Sequence, residues 1–247
     1  DPSGDFRRLC ESLREQWPDW GIAEDVRCDI AVLSYLQKAL REGDWKVTVA
    51  LRDDDQVVAV WAGFRERIYG LAVDIGSTTM SGHLCDLRTG EVLSSVGVMN
   101  PQIRFGEDLM SRVSYVMMNP GGEEEMTRVV REAVNHLAAQ TTAEIGAGPD
   151  EILDLVFVGN PIMHHLMLGI DPIELGGAPF ALAIDTAVEV WASELDLHLH
   201  TGARVYALPC IAGHVGADTA GVVLSESPHL QDEMTLLVDV GTNAEMV

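Results

Sequence analysis

The chain has 247 residues, of which 47% are hydrophobic and 22% charged, a composition typical of a folded globular protein rather than a disordered one. Asp and Glu (39) outnumber Lys and Arg (16), and the formal net charge of −23 disfavours binding to the phosphate backbone of nucleic acids. The apolar runs are too short to cross a bilayer, so we expect neither a nucleic-acid nor a membrane partner.

Residues 1–68 predict a small α+β domain. A helix is expected to begin after Asp29, a suitable N-cap, and to end at Gly43. Its apolar residues recur at helical spacing, at Ile30, Leu33, Leu36 and Leu40. Residues 45–51 alternate in polarity, which predicts a strand, and residues 56–62 predict a second strand that returns after an acidic turn.

Residues 69–247 predict a second domain, which begins where tryptophans thin out and glycines become frequent. The predicted strands cover 69–75, 80–86, 91–98, 152–158, 205–208 and 236–240. The predicted helices cover 106–118, 123–140, 161–168 and 216–224. Three consecutive strands followed by alternating helices and strands are typical of a mixed α/β sheet.

The four cysteines are scattered without a C-x-x-C pair, at Cys10, Cys28, Cys85 and Cys210. Such spacing is typical of reduced thiols in a cytosolic protein, and it offers no local zinc or iron–sulfur site. The first residues contain no basic segment followed by an apolar stretch, so no secretory signal is expected there. We therefore expect a cytoplasmic protein.

A short polar loop follows the predicted strand that ends near Asp74. Glycine allows the backbone to approach an anion, and amides or hydroxyls in this loop can donate to phosphate oxygens. The phosphate-binding residues predicted here are Gly76, Ser77, Thr78 and Thr79. Asp74 could hold a magnesium ion directly or through water. The loop matches neither the P-loop nor the dinucleotide-binding glycine motif.

A second segment near the end of the chain repeats this order. An apolar strand leads to Asp239, and the sequence continues through Val240 to Gly241, Thr242 and Asn243. Two such loops, one from each half of a duplicated fold, could face each other across a cleft and hold a triphosphate, with Asp74 and Asp239 sharing the magnesium ion. The alternative is a pair of coincidental hairpin turns.

The two loops resemble the phosphate 1 and phosphate 2 motifs of the actin, sugar kinase and heat-shock ATPase superfamily. Residues 158–180 resemble the G-N-x-x-M-H-H-L … G-x-D-P … P-F signature of reductive activators of corrinoid proteins, and residues 208–218 are similar to the P-x-I-A-G-x-V-G-A-D run of that family. The resemblance extends from about Tyr69 to the end of the chain. It implies an actin-like, ribonuclease H-like mixed sheet, with residues 69–247 as the first subdomain and the start of the second of an ATPase domain. The small α+β domain of residues 1–68 resembles the family's middle domain in size and position.

This resemblance implies an ATP- and Mg²⁺-dependent protein that reduces cob(II)amide to cob(I)amide in a methyltransferase or its corrinoid partner. It also implies an electron donor and makes a homodimer a candidate assembly. The implied catalytic residues are Asp74, Asp218 and Asp239, although Asp218 could instead be a helix-start carboxylate favoured by the dipole. The family's iron–sulfur cluster belongs to an N-terminal ferredoxin-like domain, and these residues contain no cysteine cluster that could hold it. They also contain no adenosine-binding motif before Val247. We therefore expect an internal piece of a longer protein.

Several interpretations stay open at this point. Another superfamily member, such as a sugar kinase or a 2-hydroxyacyl-CoA dehydratase activator, would share the loops, and a non-catalytic docking module could retain them. The apolar stretch from Met163 to Phe180 is interpreted either as a docking patch for the corrinoid partner or as core. His198 and His200 are expected on one face of a strand, where a zinc site is the less favoured interpretation.

Overall fold

The computed structural model describes residues 3–230, 232–240 and 244–247. Its helices are α1 (Asp5–Gln16), α2 (Ile30–Glu42), α3 (Leu109–Met118), α4 (Gly122–Glu144), α5 (Pro161–Leu168) and α6 (Ala217–Glu226). Its strands are β1 (Arg27–Cys28), β2 (Val47–Arg52), β3 (Gln56–Ala62), β4 (Tyr69–Ile75), β5 (Thr79–Asp86), β6 (Val92–Met99), β7 (Ile152–Gly159), β8 (Val188–Trp191), β9 (Arg204–Ala207), β10 (Val238–Val240) and β11 (Ala244–Met246). The predicted helices and strands are confirmed, most of them with ends shifted by one to four residues.

The first part of the chain forms a three-stranded sheet in the order β1-β3-β2, with β2 antiparallel and β1 parallel to β3. Helices α1 and α2 pack on it through a separate apolar cluster, which includes Leu9, Leu13, Val32, Leu36, Leu40, Val57 and Val60. Helix α1 was not predicted, although Leu9 and Leu13 lie one helical turn apart and are both buried. The α+β character predicted for this segment is confirmed.

The larger sheet has six strands in the order β6-β5-β4-β7-β9-β8. Strands β4, β5 and β6 form the predicted antiparallel meander, whereas β7 and β9 run parallel to β4, and β8 closes one edge antiparallel to β9. Along β7, Leu155 and Phe157 face the main core, which includes apolar residues of α4 and α5. Val156 and Val158 face the opposite side, where they pack against Ala217 of α6.

The parallel pairing of β4 with β7 determines which loops are neighbours. Asp74 is in register with Val158, and Ile75 is in register with Gly159, so both strands end at the same edge of the sheet. The start of α6 reaches this edge too. A Cβ added to Gly216 would lie 2.5 Å from both the Cα of Asn160 and the carbonyl oxygen of Gly159. Backbone therefore packs directly on backbone where α6 begins.

Helix α5 belongs to the core, so the docking interpretation of this helix is wrong. Every residue from Pro161 to Met167 is buried. Asn160 caps the helix by accepting hydrogen bonds from the amides of Ile162 and Met163, at 3.0 and 3.1 Å. His165 accepts a hydrogen bond from the amide of Ala183 at 3.0 Å. The burial of these seven residues leaves residues 161–167 no exposed face for a partner.

The histidines of α5 and of residues 198–200 have different surroundings. His164 packs its ring 5.6 Å from the ring of Phe157, and burial lowers the pKa of His164 to about 4. His198 and His200 lie in an irregular segment rather than on a strand, so that expectation is wrong. The ring of His200 instead packs 5.5 Å from the Trp61 ring, against the small sheet.

Charged and backbone contacts join the two sheets. Arg52 of β2 lies 3.4 Å from Asp154 and 3.2 Å from Glu189, which are on β7 and β8. Beside this pair of contacts, the turn at Gly202 lies so close to the carbonyl oxygen of Val58 that a Cβ at this position would overlap it. The backbone of β3 is therefore fitted closely to the turn that precedes β9.

Candidate functional site

Four carboxylates gather near the end of β4. Asp74 is the second-last residue of that strand, and Asp218 is in the first turn of α6. Asp239 and Glu245 are paired across the β10–β11 hairpin. Partial desolvation raises the pKa of Asp74, and the negative charges of Asp218 and Asp239 raise it further. The structure thus places the three predicted catalytic aspartates in one electrostatic neighbourhood.

Asp218 and Glu245 respond to the same crowding of negative charge. Desolvation raises the pKa of Asp218, against the hydrogen bond that it accepts from the amide of Thr219 at 2.8 Å, and the charge of Asp239 adds to the increase. Desolvation followed by the charges of Asp218 and Asp239 also raises the pKa of Glu245. Glu245 was not predicted as part of the site. Its position two residues beyond the second loop was the available signal.

These carboxylates do not form a closed metal site. Among the described residues, no group of three or more His, Cys, Asp or Glu side chains has the geometry to hold a metal ion. An oxygen-only donor set of one or two carboxylates nevertheless suits Mg²⁺, which usually keeps several waters and takes further ligands from substrate phosphates. The chemistry of Asp74 and Asp239 is therefore compatible with a magnesium ion that arrives with a nucleotide.

The β4–β5 loop has three successive carbonyl groups turned towards the protein interior. The carbonyl of Gly76 accepts a hydrogen bond from Nδ2 of Asn100 at 2.8 Å, and that of Thr78 accepts one from the amide of Asn100 at 2.8 Å. The carbonyl of Ser77 accepts a hydrogen bond from Nη2 of Arg112. The four predicted residues of this loop lie together: Ser77 is buried, while Thr78 and Thr79 are exposed.

Gly76 is required by a close approach across the loop. A Cβ at this position would lie 2.5 Å from the carbonyl oxygen of Thr79. Any side chain here would widen the turn and move the amides that follow it. The predicted use of this glycine, a backbone brought close to an anion, is compatible with the tight turn.

Asn100, Gln102 and Arg112 support the loop and were not predicted. The side-chain oxygen of Asn100 accepts from the amide of Gln102 at 2.9 Å, and Nε2 of Gln102 donates to the carbonyl of Met126 at 3.0 Å. All three side chains are fully buried. The available signal was Asn100 followed by a proline, but nothing in the sequence marks Arg112 as buried.

The second predicted loop lies outside the described residues. Gly241, Thr242 and Asn243 fall in the gap between residues 240 and 244, so their arrangement is not described. The strands on either side, β10 and β11, are antiparallel, with Val240 in register with Ala244. The phosphate contacts of this loop stay a prediction.

Removing the charge of Asp218 should stabilise the nucleotide-free protein at neutral pH. The raised pKa means that the folded state binds this proton more tightly than the unfolded state, so ionisation between the two pKa values reduces the free energy of unfolding as pH rises. Asp218→Asn keeps the acceptor for the Thr219 amide. We expect urea titrations to show a larger free energy of unfolding than wild type at pH 7, with the difference closing below the unfolded-state pKa of about 4.

The exposed Asp25 provides a matched control for this measurement. Asp25→Asn removes the same formal charge in the small α+β segment and should leave the free energy of unfolding at pH 7 close to that of wild type. Equal pH dependence for the two variants would contradict the electrostatic coupling of Asp218.

Two family models match the chain. The RACo middle region matches residues 69–231, and the RACo linker region matches residues 1–67. The corrinoid activation enzyme RamQ of Eubacterium limosum is 33% identical over 179 residues, which cover 72% of this chain and 30% of RamQ. The Co(II) methylated amine-specific corrinoid protein reductase of Methanosarcina barkeri is 24% identical over 197 residues, which cover 72% of this chain and 34% of the reductase.

A solved structure shares the whole fold. It is a reductive activator for corrinoid, iron-sulfur protein, with a TM-score of 0.85 and 34% identity, and the match covers 100% of this chain and 39% of that one. This likeness confirms the predicted actin-like mixed α/β fold. The chain spans about a third of the length of the two curated relatives.

Proposed function

The chain belongs to the RACo family, and we propose that the protein uses ATP to drive the reductive activation of a corrinoid protein or corrinoid-dependent methyltransferase. In this reaction one electron converts cob(II)amide to cob(I)amide, and hydrolysis of ATP to ADP and phosphate supplies the driving force. The name of the Methanosarcina barkeri relative contains a corrinoid protein, and that of RamQ contains corrinoid activation, which supports a corrinoid partner.

The inward-turned carbonyls of the β4–β5 loop are the observation that carries the ATP part of the proposal. In a trans peptide, the C=O of one residue and the N–H of the next point in opposite directions. Because the carbonyls of Gly76 and Ser77 point towards Asn100 and Arg112, the amides of Ser77 and Thr78 are directed away from these buried side chains. Successive amides with this direction suit the binding of phosphate oxygens.

In this proposal the carboxylates bind the magnesium ion and orient the attacking water, while the loops bind the phosphates. Asp74 and Asp239 bind the magnesium ion or its waters, and a bound magnesium ion neutralises charge that develops on the phosphates. Asp218 orients the attacking water by accepting a hydrogen bond from it. Thr79, together with Gly241, Thr242 and Asn243, adds further amide or hydroxyl donors to the phosphates.

The remaining partners and the organisation are part of the same proposal. Residues 1–68 form a small α+β middle domain, and 69–247 form the ATPase domain, with its first subdomain and the start of the second. The electron reaches the corrinoid from a donor through an iron–sulfur domain elsewhere in the full-length protein. A second copy of the chain is a candidate partner, and the cytoplasm is the proposed location. No helix in the described part of the chain is long and apolar enough to span a membrane.

The test follows reduction of a purified corrinoid protein in its Co(II) state by visible spectroscopy. The full-length protein, a low-potential reductant and magnesium-ATP should produce Co(I), and omission of ATP or its replacement by ADP should prevent this. Reduction at the same rate without ATP would overturn the coupling. Phosphorylation of a small-molecule substrate in the absence of corrinoid reduction would favour a kinase instead.

A further inference from the structure

Arg112 is a buried cation directly behind the β4–β5 loop. Its side chain is 0% exposed, and Nη2 donates to the carbonyl of Ser77. The other hydrogen bonds of the guanidinium run from Nε to the carbonyl of Gly106 at 3.1 Å and from Nη1 to the Met163 sulfur at 3.0 Å, with Gln102 at 3.5 Å. The partners of this guanidinium are therefore neutral groups.

This guanidinium carries a charge that no neighbouring carboxylate neutralises. Among the described residues, none of the hydrogen bonds of Arg112 goes to an Asp or Glu oxygen, although the charge of Asp108 stabilises its charged form. Burial lowers the pKa of Arg112 to about 10, so the side chain is still protonated at neutral pH. Because a buried charge without a counterion is costly, an anion bound close to Arg112 would offset part of that cost.

The surroundings of the loop make a positive charge valuable there. Asp74, Asp218 and Asp239 repel one another, and in the absence of metal they would also repel the phosphates of a nucleotide. The protein as a whole is strongly acidic and gives no attraction at long range. Arg112 is the cation tied by a hydrogen bond to the backbone of the predicted phosphate loop.

We propose that Arg112 is a positioning residue for the phosphate site. It holds the Ser77 carbonyl inward, so that the Thr78 amide is presented to a phosphate oxygen, and its charge favours a polyanion on the other side of the loop. The inference rests on the proposed function only in that the loop binds the phosphates of ATP. Its consequence is that Arg112 contributes to recognition of the phosphates without touching them.

The test compares a phosphorylated ligand with one that has no phosphates. In the full-length protein, Arg112→Met keeps much of the length and packing of the side chain but removes both the charge and the hydrogen bond to Ser77. Calorimetric titration with magnesium-ADP should show affinity weakened by at least about 10-fold, as expected when a preorganised donor to an anion is lost. Affinity for adenosine should be unchanged.

Two further variants separate this effect from a structural defect. Arg112→Lys keeps the charge but lacks the planar fork, and it should recover part of the magnesium-ADP affinity; it carries the same comparison if Arg112→Met does not fold. Arg128→Met removes an exposed arginine paired with Glu132 at 2.7 Å and should bind both ligands as wild type does.

The proposal is overturned if Arg112→Lys, or a folded Arg112→Met, binds magnesium-ADP as tightly as the wild-type protein does. It is overturned too if the affinity of the variant for adenosine falls by the same factor as its affinity for magnesium-ADP. It is also overturned if the wild-type protein does not bind magnesium-ADP. Failure of the proposed function is distinguishable, since wild-type protein that binds magnesium-ADP but does not reduce the corrinoid leaves the assignment of Arg112 intact.

Discussion

Asp74→Asn in the full-length protein should lower the rate of ATP hydrolysis by at least about 10²-fold, which corresponds to roughly 2.7 kcal/mol of transition-state stabilisation. The amide keeps the shape of the side chain but removes the charge proposed to hold magnesium. Because Asp74 already experiences the charges of Asp218 and Asp239, the substitution also relieves repulsion in the nucleotide-free protein. The steady-state rate of phosphate release measures the effect.

Metal-free nucleotide provides an internal control for this variant. Without magnesium, the carboxylate of Asp74 repels the phosphates, so Asp74→Asn should bind metal-free ADP at least as tightly as wild type. Asp25→Asn, at an exposed position in the small α+β segment, should hydrolyse ATP at the wild-type rate. Unchanged hydrolysis by Asp74→Asn would remove this residue from the proposed magnesium site.

Gly202→Ala should lower the stability of the protein by up to about 3 kcal/mol, the upper end of the range for overpacking. The added Cβ would overlap the carbonyl oxygen of Val58, which is backbone and cannot rotate away. The turn before β9 and strand β3 must therefore move apart. Scanning calorimetry should show a lower melting temperature, by roughly 2–4 °C for each kcal/mol lost.

Gly177 is the matched control for that substitution. A Cβ at this position meets no atom within 4 Å, and its backbone is extended, so Gly177→Ala should leave the melting temperature close to that of wild type. An equal effect of the two substitutions would mean that the contact between Gly202 and Val58 does not limit the stability.

The parts of the fold predicted best are those whose pattern is local. Strand β4 has the predicted ends, and α2 begins and ends where its N-cap and glycine indicate. Helix α3 begins at Leu109 rather than at residue 106, because Asp108 caps it by accepting from the amide of Ser111 at 2.7 Å. Strand β8 was missed because four residues at a sheet edge carry little periodicity.

The parts of the site that were missed depend on contacts between residues that are far apart in the sequence. Asp74 and Asp239 were found because each follows an apolar strand and precedes a glycine, a pattern contained in a few residues. The support of the loop instead joins Ser77 to Arg112, which are far apart in the chain, and only the packing of α3 brings them together. An arginine in an amphipathic helix is normally exposed, so its burial could not be predicted from the sequence alone.

The two interpretations of α5, as core or as docking patch, stayed open in the sequence for a related reason. Met163 and Leu166 are as compatible with an exposed apolar patch as with a core. Hydrophobic periodicity cannot distinguish a short helix that is buried in the core from one that exposes an apolar docking surface. The position of the helix between α4 and β7 decides the question, and that position is a property of the topology.

The contact of Gly216 with the backbone at Gly159 and Asn160 has a mechanical consequence. It fixes the start of α6 to the end of β7, and the register of β7 with β4 extends this connection to Asp74. The distance between Asp74 and Asp218 is therefore set by backbone contacts, and the two residues form one rigid unit. Asp239 lies on a separate two-stranded sheet, so these backbone contacts do not fix its distance from the other two aspartates.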